Sequence, residues 1–120
     1  MELGDLEVYK LARIISGKGW ALYEQFDWRT RKVIGDQFIT AIDSIAANVA
    51  EGFGRFHYLD RNKFNYNARG SLFESIHWVD VLKERGIVDG KKAEDLVGDL
   101  RNLLVRLNGY IATTKNLHKS

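Results

Sequence analysis

The chain has 120 residues, which is enough for one domain with one hydrophobic core. It contains no cysteine, which excludes a disulfide framework and cysteine-based metal sites. The formal net charge of +2 is too small to predict a nucleic-acid partner by itself, so the positions of the charges must decide. No apolar run approaches the roughly 20 residues that span a bilayer, and the N-terminus shows no apolar signal segment. We therefore expect a cytoplasmic protein that does not associate with membranes.

The absence of proline and the three-to-four-residue spacing of apolar positions predict an all-α protein. Four helices are expected within a single domain covering residues 1–120, at about residues 6–26, 29–51, 60–85 and 91–116. Gly86 follows the third segment and is expected to be its helix-terminating C′ residue. Because the links between segments are short, consecutive helices should be antiparallel, which gives an up-down-up-down four-helix bundle.

Apolar positions are more numerous than the interior of one bundle requires. Residues of this kind are Val8, Leu11, Trp20, Tyr23, Ile76, Trp78, Val97, Leu104 and Ile111. Because a helix in a bundle buries one apolar stripe, the additional positions favour a second buried face and therefore self-association. The alternative is that these residues only flank the core.

Two segments have a more specific pattern. The first reads S-I-A-A-N-V-A-E-G-F-G-R from Ser44 to Arg55, and the second reads F-N-Y-N-A-R-G-S-L-F-E from Phe64 to Glu74. Together they resemble the 23S rRNA intervening-sequence protein family, also called the four-helix-bundle protein family. Its pattern is S-I-x-x-N-I-A-E-G-x-G-R followed by F-x-x-x-A-x-G-S-x-x-E.

The resemblance implies an antiparallel four-helix bundle that assembles as a ring-like homopentamer and has no established enzymatic activity. Members of the family are bacterial, and some are encoded within insertions in 23S rRNA genes. A related branch comprises accessory proteins of diversity-generating retroelements, which bind nucleic acid and a reverse transcriptase. The residues of this chain that match the structural motif are Asn48, Glu51, Gly52, Gly54, Gly70, Ser71 and Glu74.

The first motif covers the predicted end of the second helix. Gly52 and Gly54 would permit a left-handed cap and a tight exit of the chain. Arg55 either contacts a phosphate or pairs with Glu51 or Glu74, and we favour the ion pair, which would fix the register of two helices.

The second motif lies inside the third helix. Glycine there costs roughly 1 kcal/mol relative to alanine, so Gly70, followed by Ser71, predicts close packing against another helix. Glu74 and His77 match a Glu-x-x-His motif, but di-iron bundles need two such motifs and two further glutamates. No nucleophile elbow or phosphate loop occurs either. We expect no metal, no cofactor and no catalytic residue.

The stretch from Phe53 to Arg69 is the best candidate for a binding site. Its aromatic residues are Phe53, Phe56, Tyr58, Phe64 and Tyr66, and its cations are Arg55, Arg61, Lys63 and Arg69. Asp60 is the one acid among them. Cations bind phosphates and aromatic rings stack on unpaired bases, so this composition predicts an RNA- or DNA-binding patch.

We expect Arg61, Lys63 and Arg69 to contact phosphates and Tyr58 to offer a stacking face. The sequence thus favours a non-catalytic oligomeric scaffold that binds copies of itself and RNA or DNA. The alternative is a scaffold for protein partners alone, in which the aromatic residues only close the end of the bundle and the charges are a solvated face.

Overall fold

The computed structural model describes residues 1–119, with side chains through Leu117, and within that range it contains helices and no strand. Helix α1 spans Glu7–Glu24 and follows a 3-10 turn at Leu3–Asp5. The second helix, α2, is continuous but has three parts: Trp28–Thr30, the π-helical Arg31–Gly35 and Asp36–Phe53. Helix α3 spans Tyr58–Glu84, and α4 spans Gly90–Lys119.

The four helices form an elongated bundle whose longest dimension is 49 Å. Each helix packs against the next along the chain, and α1 also packs against α4, which closes the bundle. Short connections make consecutive helices antiparallel. The predicted all-α class and four-helix architecture are confirmed. Helix α4 continues beyond the predicted end at residue 116, and the π-helical segment of α2 was not predicted.

The core comes from the predicted apolar stripes. Its fully buried large side chains include Phe38, Ile42, Ile45, Leu72, Leu82, Leu100, Leu103 and Leu107. Helix α1 contributes smaller residues, and a Cβ on Gly19 would lie 2.9 Å from the Ile42 side chain. This glycine therefore lets α1 approach α2 closely, while the long side chains of the other helices fill the interior.

Most of the additional apolar residues also pack against this core. Val8 and Ile111 are buried, and those that are half-buried against the core are Leu11, Tyr23, Ile76, Trp78, Val97 and Leu104. Trp20, by contrast, is 50% exposed. The other eight therefore belong to the core of the subunit or border it. The exposed apolar surface lies elsewhere, at Ile14, Trp28, Val33, Phe73 and Val105.

The glycines that end α2 do not adopt a left-handed conformation. Gly54 has φ −74°, and among the described residues a positive φ occurs at Gly86 alone, with φ 69°. The left-handed cap predicted for Gly52 and Gly54 is therefore wrong, whereas the cap at Gly86 is confirmed. A Cβ on Gly52 would lie 2.9 Å from the Arg61 carbonyl oxygen and 3.0 Å from the Phe64 Cβ. Gly52 is thus required because α3 begins against it.

The prediction that Gly70 packs closely against another helix of the same subunit is wrong. A Cβ at this position would meet no atom within 4 Å, because Gly70 lies on the outer face of α3. The other polar motif residues make local bonds within their own helices. Asn48 Nδ2 donates to the Ser44 carbonyl over 2.8 Å, and the Ser71 carbonyl accepts from Ser75 Oγ over 2.8 Å.

Substituting alanine at Gly52 and at Gly70 should shift the free energy of unfolding in opposite directions. Gly52→Ala forces α2 and α3 apart and should destabilise the fold by about 1–3 kcal/mol. Gly70→Ala adds a methyl group in open space and should stabilise α3 by roughly 1 kcal/mol. Urea unfolding followed by circular dichroism measures both changes. A Gly52→Ala variant as stable as the wild type would contradict the close approach described above.

Candidate nucleic-acid interface

The predicted basic stretch lies at one end of the bundle. Antiparallel packing brings the first turns of α3 beside the last turns of α4, so cations from both helices meet there. We call this region the basic end, and its cations are Arg55, Arg61, Lys63, Arg69 and Lys115. Buried amides hold the two helices in register at this level. Asn62 Nδ2 donates to the Ile111 carbonyl over 3.2 Å, and Asn65 Nδ2 donates to Asn62 Oδ1 over 2.9 Å.

Arg55 is occupied by contacts within the subunit. It donates to Glu51 Oε1 over 2.9 Å, and its guanidinium carbon lies 4.8 Å from the centre of the Phe64 ring. The predicted pair with Glu51 is therefore confirmed, but it is a local contact at the end of α2, so the prediction that it fixes the register of two helices is wrong. Glu74 instead accepts a bond from Trp78 Nε1. The pair is half-exposed on both sides and so contributes little stability. Its main consequence is that the Arg55 charge is partly cancelled.

Arg61 has partners that leave its charge uncancelled. Its Nε donates to the Arg55 carbonyl over 2.9 Å, and its guanidinium carbon lies 5.2 Å from the Tyr58 ring and 5.8 Å from the Phe53 ring. Burial raises the pKa of Tyr110 on α4, and the charge of Arg61 acts in the opposite direction. Arg61 thus fixes the α2–α3 connection and keeps a full positive charge there.

Two of the remaining cations, Arg69 and Lys115, lie near the Tyr66 ring. Arg69 donates to Asn108 Oδ1 over 2.9 Å and lies 5.2 Å from the centre of the Tyr66 ring, while Lys115 Nζ lies 5.8 Å from the same ring. Lys63 is 76% exposed and makes only a loose pair, 3.7 Å long, with Asp60. Lys115 was missing from the predicted patch because it is close to Tyr66 only through the packing of α4 on α3.

The aromatic side chains of the basic end differ in how much of each ring is exposed. Tyr58 is half-buried with Arg61 over its ring, so it offers less stacking surface than predicted. Phe64 is half-buried beside Arg55. Phe56, by contrast, is 88% exposed. The free aromatic surface therefore lies on the connection before α3 rather than at Tyr58.

Comparison with known proteins identifies the chain's family. Residues 4–109 match the family model described as 23S rRNA-intervening sequence protein. The chain belongs to this family. A crystal structure of a protein with unknown function from the S23 ribosomal protein family of Bacteroides thetaiotaomicron superposes with a TM-score of 0.81. The match covers 87% of this chain and 97% of that chain at 18% identity, and at this identity it shows the fold alone. No curated protein matches the chain.

The part of this chain that matches the family model contains the five residues predicted to bind nucleic acid, and it stops before Lys115. Glu74 and His77, the pair with Glu-x-x-His spacing, both contact Trp78. In residues 1–117, no three acidic or histidine side chains gather where a metal ion could bind. None of the described helices combines the length and the apolar character needed to cross a membrane.

A second aromatic group, which the sequence did not predict, lies at the opposite end of the bundle. Trp20 stacks on Tyr23 with ring centres 5.3 Å apart, and the Tyr23 hydroxyl donates to Asp36 Oδ1 over 2.5 Å, which raises the pKa of Tyr23. The guanidinium carbon of Arg31 lies 4.8 Å from the Tyr23 ring. Trp28 is 74% exposed, with Lys32 Nζ 4.9 Å from its ring. We call Trp20, Tyr23, Trp28, Arg31 and Lys32 the tryptophan cluster.

The tryptophan cluster differs from the basic end in charge. The acids Glu24, Asp27 and Asp36 lie among the cations Arg29, Arg31 and Lys32, so this segment is neutral overall. Asp27 also caps α2, because its Oδ1 accepts from the Thr30 backbone N–H over 2.7 Å, and this bond lowers the pKa of Asp27. The cluster joins residues from two helices, so it cannot be recognised from a single stretch of sequence.

Proposed function

We propose that this chain is a subunit of a non-catalytic homo-oligomeric scaffold that binds RNA or DNA through its basic end. The observation that carries the proposal is the set of contacts that the cations of the basic end make. Arg61, Arg69 and Lys115 contact rings, a carbonyl and an amide rather than carboxylates. Their charge is therefore available to phosphates, whose neutralisation supplies most of the affinity of non-specific nucleic-acid binding.

The arrangement of these cations also supports the proposal. From Arg61 to Arg69, α3 rises by roughly 12 Å, and Lys115 is added from the neighbouring helix. Nucleic acid presents phosphates in a continuous row, so cations spread along a helix can contact several of them. The overall charge of +2 hides this local concentration, because acidic residues are more frequent in the second half of α3 and the first half of α4.

Self-association is supported by two outward-facing rows on neighbouring helices. The row on α3 is bulky, with Leu59, Tyr66 and Phe73 exposed at every seventh position. The row on α4 is uncharged and mostly small, with Gly98, Val105 and Ala112 exposed at the same spacing. A bulky row and a small row on different faces of one subunit fit a head-to-tail contact, and repeated contacts of this kind can close a ring.

A ring would also increase binding to a long nucleic acid. Each subunit contributes one basic end, so several sites engage one strand and the avidity exceeds the affinity of a single site. The family resemblance implies five subunits, and we adopt that number in the proposal.

A protein-binding scaffold without nucleic acid is the second candidate, and the tryptophan cluster favours it. Tryptophan, tyrosine and arginine dominate the binding energy of protein interfaces. The cluster contains all three residue types in contact with one another, and Trp28 is 74% exposed while Trp20 is half-exposed. Its neutral charge gives it no preference for phosphates.

Phe73→Glu tests the proposed contact between subunits. A charge in the bulky row should dissociate the oligomer, because an unpaired carboxylate would be buried against the next subunit. Light scattering at micromolar concentration should give about five times 13.8 kDa for the wild type and a single subunit for the variant. Val33→Glu is the matched control, since Val33 is similarly exposed on α2. A monomeric wild type would refute the oligomer.

Lys63→Ala with Lys115→Ala tests the nucleic-acid site. These cations are exposed, whereas Arg61 also closes the α2–α3 connection and its removal would disturb the fold. The double variant should flatten the salt dependence of single-strand binding by about 0.7 per lost phosphate contact. Fluorescence anisotropy with labelled RNA and DNA at several salt concentrations measures the slope.

The control for this measurement removes the same charge from the opposite end of the bundle. Lys91 and Lys92 are exposed in the first turn of α4, and their double alanine variant should keep the wild-type slope. If both double variants flatten the slope equally, binding is not localised at the basic end. If the wild type fails to bind at low salt, the protein-scaffold candidate replaces the proposal.

A further inference from the structure

Phe56 is the most exposed aromatic side chain of the subunit, at 88%. It lies on the connection between α2 and α3, and its recorded ring contact is with His57, edge-on at 5.1 Å and 87°. At this exposure most of the phenyl ring surface is accessible. The ring therefore contributes nothing to the core, and its position needs a different explanation.

The surroundings of Phe56 combine a free ring with a fixed cation. The ring borders an open depression that is lined by Phe56, His57, Tyr58, Leu59, Asp60 and Arg61. Arg61 is held in place because its Nε donates to the Arg55 carbonyl, on the residue before Phe56. Leu59 extends the apolar surface and is 59% exposed. A phosphate bound at Arg61 would thus place the attached nucleotide beside the Phe56 ring.

Duplex and single-stranded nucleic acids differ in whether their base faces are free to stack on a phenyl ring. In a duplex, each base face is covered by the neighbouring base pairs, and only the base edges are accessible in the grooves. In single strands, loops and frayed ends the base faces are free to stack on an aromatic side chain. A ring that projects from a connection beside a cation is therefore suited to unpaired bases.

We propose that Phe56 is the base-stacking residue of this chain and that the ligand of the basic end is single-stranded RNA or DNA rather than duplex. This inference rests on the proposed nucleic-acid function. Binding should depend little on the nucleotide sequence, because every base has an aromatic face that can stack on the Phe56 ring.

The test compares one 20-nucleotide strand with the same strand in a blunt duplex. The wild type should bind the single strand more tightly than the duplex. Phe56→Ala should lose roughly 5- to 150-fold in affinity for the single strand, the equivalent of one stacked base. Its salt slope and its affinity for the duplex should stay at the wild-type values, because Phe56 contacts no phosphate.

Two controls separate stacking from other effects. Phe56→Tyr keeps the ring and should bind like the wild type. Trp28→Ala removes an exposed aromatic residue from the opposite end of the bundle and should also bind like the wild type. Light scattering of Phe56→Ala should give the wild-type mass.

The possible failures are distinguishable. Absence of binding to either form by the wild type would overturn the proposed function together with this inference. Equal binding of both forms by the wild type, or unchanged single-strand affinity in Phe56→Ala, would overturn only the inference. A lower mass for Phe56→Ala would place Phe56 in a contact between copies and would likewise overturn its assignment as a stacking residue.

Discussion

The close approach of α3 to the end of α2 at Gly52 is the constraint on which the basic end depends. The Arg61 carbonyl lies where a side chain on residue 52 would have to be, so α3 can begin there only if that side chain is absent. This contact brings Arg61 back to the connection, where it bonds the Arg55 carbonyl and packs over Tyr58. The requirement for glycine at position 52 of α2 thereby fixes the position of Arg61 in α3.

The buried amides fix the position of α4 relative to α3. Inside the bundle, Asn65 donates to Asn62 and Asn62 donates to the Ile111 carbonyl, in a region where unpaired polar groups are costly. A sliding of α3 against α4 would break these bonds, so they select one register. In that register Arg69 bonds Asn108, and both Arg69 and Lys115 lie within 6 Å of the centre of the Tyr66 ring. The charged surface is therefore set by polar contacts in the interior.

The sequence predicted the parts of this structure that depend on local spacing. Apolar periodicity and the absence of proline predicted the four helices, and the sequence also predicted an ion pair of Arg55, with Glu51 as one of its two candidate partners. Contacts between helices could not be predicted from the sequence, because Lys115 lies near Tyr66, and Arg31 near Tyr23, only after the helices pack together. Gly70 was misjudged for a physical reason. Glycine destabilises a helix relative to alanine whether the position faces another helix or water. The presence of a helical glycine therefore does not reveal which of the two it faces.

The π-helical segment Arg31–Gly35 has a consequence for chains of related sequence. A π-turn closes over one residue more than an α-turn, so it takes up one additional residue without rotating the helix on either side. A chain that lacks one residue here could therefore continue as a regular α-helix, and Trp28 and the part of α2 from Asp36 onward would keep their orientations. A one-residue gap in an alignment at this segment thus predicts loss of the π-turn and not a rearrangement of the bundle.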